Sequence, residues 1–98
     1  MIDRKTESGI EQVATVWEPA SGRTIEVLSD QPGLQVYSGN FFDGKSIGKY
    51  GKPQRYRESL ALETQKYPDS PNHDNFPSTV LRPGEEYTQV CIYRFGVK

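Results

Sequence analysis

The chain has 98 residues, enough for one domain at most, and its apolar content of 34% is low for a chain that must bury a core of its own. Twelve basic residues against thirteen acidic ones leave a net charge of −1, with no block of like charges. Neither nucleic acid nor an anionic membrane surface is suggested as a partner.

Residues 1–9, MIDRKTESG, are polar and end in a glycine, and are expected to be loose. Ile10 to Glu18 (IEQVATVWE) carries β-branched residues and a tryptophan without a helical stripe, which predicts a strand. Pro19 to Gly22 reads as a turn and Thr24 to Ser29 as a second, antiparallel strand, so the pair should form a hairpin. Asp30-Gln31-Pro32-Gly33 fits a type II turn with positive φ at the glycine. Leu34 to Ser38 is a third strand, on which Gln35 and Tyr37 share a face. An amide beside a ring is a common sugar-contacting pair, and equally common as a plain exposed sheet face.

Residues 39–56 hold four glycines and a proline and predict a long loop, with Phe41 and Phe42 as its anchors. Its second half is basic (Lys45, Lys49, Lys52, Arg55, then Arg57); a solvated face is the favoured reading over an anion site. No phosphate-cradling glycine motif is present.

Leu60 to Gln65 follows. As a strand it places Leu60, Leu62 and Thr64 on a core-like face and Ala61, Glu63 and Gln65 on the other. The small Ala61 leaves room for a polar ligand beside the Glu63 carboxylate, which is a candidate general base. A solvated or ion-paired acid is the plainer reading of Glu63. RESLALETQK is also rich in helix formers, so helix and strand compete here. Prolines at 68, 71, 77 and 83 then enforce an extended loop. His73, the only histidine, sits among turn-formers inside it and reads as an exposed loop residue before it reads as a proton carrier. Ser78 to Leu81 is a possible short strand, Arg82-Pro83-Gly84-Glu85 a turn, and Tyr87 to Phe95 the last strand. Cys91, the single cysteine, permits no internal disulfide and is expected to be a buried structural thiol. One cysteine and one histidine make no zinc site by themselves. The predicted class is all-β with antiparallel strands.

LETQ (62–65), PDSPN, NFP and LRPGEEY, preceded by DQPGLQVYSGNFFDG (30–44), resemble the C-terminal signature of the aldose 1-epimerases, or galactose mutarotases. The resemblance covers about residues 23–95. It implies that residues 1–98 are the C-terminal piece of a single large β-sandwich domain. It implies catalytic-base duty for Glu63 and sugar contact for Gln35. The substrate class it implies is a hexose such as galactose or glucose, and the chemistry calls for no cofactor and no metal. The general-acid histidine of the family and its other substrate-binding residues have no counterpart in this chain. The expected partners are therefore the monosaccharide and either the N-terminal remainder of the fold or a second copy of the chain. No membrane span, secretory signal or lipid signal is visible, so a cytoplasmic location is expected.

Two other readings use the same residues. A non-catalytic carbohydrate-binding β module would present Gln35, Tyr37 and Glu63 without proton transfer. A two-carboxylate glycosidase would pair Glu63 with Asp69, but nothing in the sequence sets their separation.

Overall fold

Alternating side chains and β-branched residues give five strands among the described residues. The computed structural model describes residues 2–98. The strands are β1 (Glu11–Trp17), β2 (Arg23–Ser29), β3 (Gly33–Tyr37), β4 (Ala61–Gln65) and β5 (Cys91–Val97). Two single turns of 3₁₀-helix, Lys49–Gly51 and Ser70–Asn72, lie in the loops. The fold is all-β, and every strand pairing is antiparallel. No described helix is long and apolar enough to cross a membrane.

One sheet has the order β1-β2-β5 and the other is the pair β3-β4. The β1–β2 hairpin closes as its sequence predicts. The Glu18 carboxylate accepts the Ala20 and Ser21 N–H groups at 2.8 and 2.7 Å and also the Ser21 hydroxyl. The Ser21 hydroxyl, then those two N–H groups, hold the Glu18 carboxyl below its ordinary range. Gly22 sits at φ +73°, and a Cβ there would lie 2.7 Å from the Lys98 carbonyl. Only glycine lets the end of β5 come this close while adopting that φ.

β2 is the central strand. Its Val27 is fully buried and is the one fully buried apolar side chain among the described residues. Around it, Ala14 on β1 and Tyr93 on β5 stand in register. Glu26 faces Arg94 across the same ladder, with the charged groups 3.0 Å apart. β5 is exposed along its whole length. The Cα radius of gyration is 16.6 Å, against about 13 Å for a compact domain of this size. Much of the apolar surface therefore stays open, as at Val36, Phe95 and Val97.

Between β2 and β3 the chain passes from one sheet to the other at Asp30–Pro32, and this corner is clamped. The Arg4 guanidinium donates to the Ser29 and Gln31 carbonyls at 3.1 and 2.8 Å and to the Gly9 carbonyl. It also pairs with Glu11 at 3.2 Å. The expectation of a loose stretch is thus corrected for residues 2–9, which are pinned, while Met1 lies outside the described residues. From the other side, the Asp30 carboxylate accepts the Val90 N–H at 3.1 Å, while the Ser29 hydroxyl donates to the Val90 carbonyl at 2.9 Å.

Several expectations are corrected. Gly33 is not at positive φ; it is buried at the start of β3, and a Cβ would meet the Gln65 carbonyl at 3.0 Å and the Tyr67 ring at 3.2 Å. Close approach, not turn geometry, requires it. The Pro83-Gly84 turn does have the expected form, with Gly84 at φ +86° and the Glu85 N–H donating to the Arg82 carbonyl at 3.0 Å. Ser78–Leu81 is not a strand: Lys66 takes the Ser78 carbonyl and the Ser78 hydroxyl takes the Val80 N–H. The last strand starts at Cys91 instead of Tyr87, because β2 ends at its partner Ser29. Cys91 is exposed, not buried, at the first position of the outer strand β5. Of the two loop anchors, Phe42 is half-buried but Phe41 is 89% exposed.

Candidate active site

β3 and β4 form a continuous ladder in which Gly33 faces Gln65, Leu34 faces Thr64, Gln35 faces Glu63, Val36 faces Leu62 and Tyr37 faces Ala61. Strand parity puts Gln35, Tyr37, Ala61, Glu63 and Gln65 on one side of the pair. Leu34, Val36, Leu62 and Thr64 take the other, where Thr64 is buried and Leu62 half-buried. The two residues singled out in the sequence are thus directly opposite each other. Side chains in such a pair start about 5 Å apart at Cβ. Both are exposed, and no described hydrogen bond or ion pair engages the Glu63 carboxylate. A carboxylate and an amide standing free on one face, with the small Ala61 beside them, can together grip a hydroxylated ligand.

A cavity of about 360 Å³ opens beside Glu63, between β4 and the first sheet. Its walls are Ala61 and Leu62 from β4, Ile25 from β2, and Tyr93 and Phe95 from β5. The Tyr93 hydroxyl donates to the Leu62 carbonyl, one residue before Glu63. This bond ties β5 to β4 and so fixes the strand that carries the carboxylate. Burial pushes the Tyr93 phenol above its ordinary value of 10.0, helped by Cys91 and by the negative charge of Glu63. The phenol therefore stays a donor through the neutral range. Tyr93 was not foreseen as part of the site. Its contact spans two sheets, and no spacing in the sequence announces it.

Tyr37 lies on the Gln35 face, with its ring stacked on Phe41 at a centroid distance of 6.3 Å and its oxygen accepting the Phe41 N–H at 3.3 Å. His73 belongs to a different, local cluster. Its Nε2 lies 3.1 Å from the Asp69 carboxylate, and its ring packs on Phe76 at 4.6 Å. Asp69 also accepts the Asn72 amide at 2.5 Å. Neither residue makes a described contact with Glu63, and both are accounted for by the turn they build. Among the described residues, no group of three or more His, Cys, Asp or Glu side chains is placed to hold a metal ion.

A sequence profile of the aldose 1-epimerase family matches residues 2–94. The chain belongs to the aldose 1-epimerase family. It is 49% identical over 84 residues to galactose mutarotase of Mus musculus and 46% identical over the same length to that of Homo sapiens, covering 86% of this chain and 25% of each relative. Aldose 1-epimerase of Escherichia coli (strain K12) is 39% identical over 89 residues, covering 89% of this chain and again 25% of the relative. The chain thus spans about a quarter of the length of the curated relatives it matches. The all-β, antiparallel architecture agrees with part of a β-sandwich enzyme of this family.

Proposed function

We propose that these 98 residues form the C-terminal, base-bearing part of an aldose 1-epimerase that interconverts the α and β anomers of a hexose such as galactose or glucose. The register of Gln35 against Glu63 supports this reading most directly. Glu63 takes the proton from the C1 hydroxyl. An acid supplied from outside these residues gives a proton to the ring oxygen. The C1–O5 bond breaks, leaving the open-chain aldehyde. Rotation about C1–C2 offers the other carbonyl face, and reversal of the two transfers closes the ring. Gln35 donates its amide N–H to the ring oxygen or a hydroxyl, which holds C1 against the base. Proton transfer requires the base within about 2.6–3.2 Å of the hydroxyl it deprotonates, and an exposed, unpaired carboxylate beside an open cavity meets that need.

The test is polarimetry on fresh α-galactose with the full-length protein and with Glu63→Gln and Gln35→Ala. Loss of anomer exchange in the first and weakened sugar binding in the second are expected. Exchange at the wild-type rate in Glu63→Gln would remove Glu63 from the reaction, whereas a wild-type protein that binds the sugar without accelerating exchange would favour the non-catalytic carbohydrate-binding reading.

A further inference from the structure

A cavity larger than the one beside Glu63 lies elsewhere in the molecule. It is a groove of about 700 Å³ in the loop that joins β3 to β4. The loop is ordered by its own ladder. Gly44 N–H donates to the Gln54 carbonyl, Gln54 N–H to the Ser46 carbonyl and Gly48 N–H to the Lys52 carbonyl, each at 2.8 Å. Ile47 and Pro53 form a bridge between these rungs. The groove floor is also built. At Gly39, with φ +68°, a Cβ would lie 2.5 Å from the Ser59 hydroxyl and 2.9 Å from the Phe42 ring, so the glycine allows both side chains to close in beneath the groove. At Gly48 a Cβ would sit 2.9 Å from the Gln54 amide nitrogen.

Charge separates this segment from the rest of the molecule. Residues 41–59 carry five cations and two acids, while the remainder carries seven cations and eleven acids. Three of the five cations, Lys49, Lys52 and Arg55, line the groove. Gln54 and Ser59 line it as well, and so does Glu58, whose carboxylate lies 3.8 Å from Arg55. The volume lies within the range of about 300–1,000 Å³ usual for small-molecule sites. Two ammonium groups and a guanidinium recognise a phosphate through charge-assisted hydrogen bonds. The Glu58 carboxylate repels a bare anion, and together with the amide and the hydroxyl it matches the hydroxyls of a polyol.

We propose that this groove binds a phosphorylated polyol, a sugar phosphate being the simplest, at a site separate from Gln35 and Glu63. The phosphate lies against Lys49, Lys52 and Arg55. The hydroxyls are held by Gln54, Glu58 and Ser59. The assignment is independent of the catalytic reading above, because it uses none of those residues.

The experiment is amide-resolved NMR and calorimetry on the full chain, titrated separately with glucose 6-phosphate, glucose and inorganic phosphate. Glucose 6-phosphate should move the amides of Gly48, Lys49 and Gln54, and should bind about tenfold or more tightly than either of the other two. Lys52→Gln combined with Arg55→Gln should weaken it by about tenfold or more, and Lys49→Glu should do the same as an independent variant. Lys5→Gln, outside the groove, and Glu63→Gln should leave that binding unchanged. Three results would each overturn the proposal: inorganic phosphate binding as tightly as the sugar phosphate, binding that survives loss of the groove cations, or binding lost with Glu63→Gln.

Discussion

Gln35 stands directly across the β3–β4 ladder from Glu63, so the amide and the carboxylate leave the same face of adjacent strands. Twenty-eight positions of sequence separate them, and the loop between folds out of the way as a basic hairpin. Because neither side chain is buried, substitutions here test chemistry with little disturbance of packing.

Glu63→Gln is expected to keep the fold and to abolish nearly all mutarotation by the full-length enzyme. The amide is close in shape but does not accept the C1 proton. A drop of about a hundred- to ten-thousand-fold in kcat is anticipated, with far-ultraviolet circular dichroism unchanged. Retention of more than about a tenth of the wild-type rate would remove Glu63 from the proton-transfer step.

Alone, the 98-residue chain is expected to self-associate and to be inactive. Phe95 and Val97 on β5 are 73% and 80% exposed, and Trp17 on β1 is half exposed. Both outer strands present unpaired backbone edges of the kind that recruit another chain. Sedimentation gives the mass, and polarimetry gives the rate. A monomer that accelerates anomer exchange, and loses that rate on His73→Ala, would make His73 the acid and refute the expectation.

Tyr93→Phe removes the donor to the Leu62 carbonyl while keeping the ring. A loss of about 1 kcal/mol is expected, seen as a fall in Tm of about 4–8 °C for a domain of this size. Titration of the wild-type protein by absorbance should find the Tyr93 phenolate forming above pH 10.0, because burial and then Cys91 and Glu63 oppose its charge. An unchanged Tm in Tyr93→Phe would mean that the bond to β4 contributes nothing.

The clamp at Asp30 should make stability depend on pH in the acid range. Burial by itself would raise this carboxyl, but hydrogen bonds from Gln31 and the Val90 N–H, with Arg4 nearby, outweigh it and leave the group below its ordinary 3.8. A carboxyl depressed on folding contributes stability that is fully present above the unfolded value and is lost as pH falls through the folded one. Denaturant midpoints should therefore hold steady down to about pH 5 and then decline. Asp30→Ala should flatten that decline and cost about 1–2 kcal/mol near neutrality.

Much of this architecture was legible because local rules decided it. The β1–β2 hairpin follows from its turn residues, and β4 from alternation stopped by Pro68. The shared face of Gln35 and Glu63 follows from parity once β3 and β4 pair. What escaped the sequence was tertiary. Residues 87–90 alternate like a strand, yet Val90 gives its N–H to Asp30 and its carbonyl to Ser29, so a corner captures the backbone that a ladder would have used. Cys91 sits in an apolar run but at the start of an outer strand, where its neighbours in sequence do not shield it. Arg4 reads in sequence as part of a loose polar stretch, and its five partners are spread over residues 6–31.

The pairing of β5 with β2 also has a temporal side. Ser29 and Cys91 are partners although about sixty residues separate them. Closing a loop of that length adds only modest entropy, but contacts so distant form late. During synthesis the β1–β2 hairpin emerges ahead of β5, so the edge of Val27's strand stays open until Cys91–Val97 leaves the ribosome. For that interval the central strand is a template for any extended segment nearby. The Arg4 clamp, which needs only residues 4–31, is available throughout and can hold the hairpin's end in place until its last strand arrives.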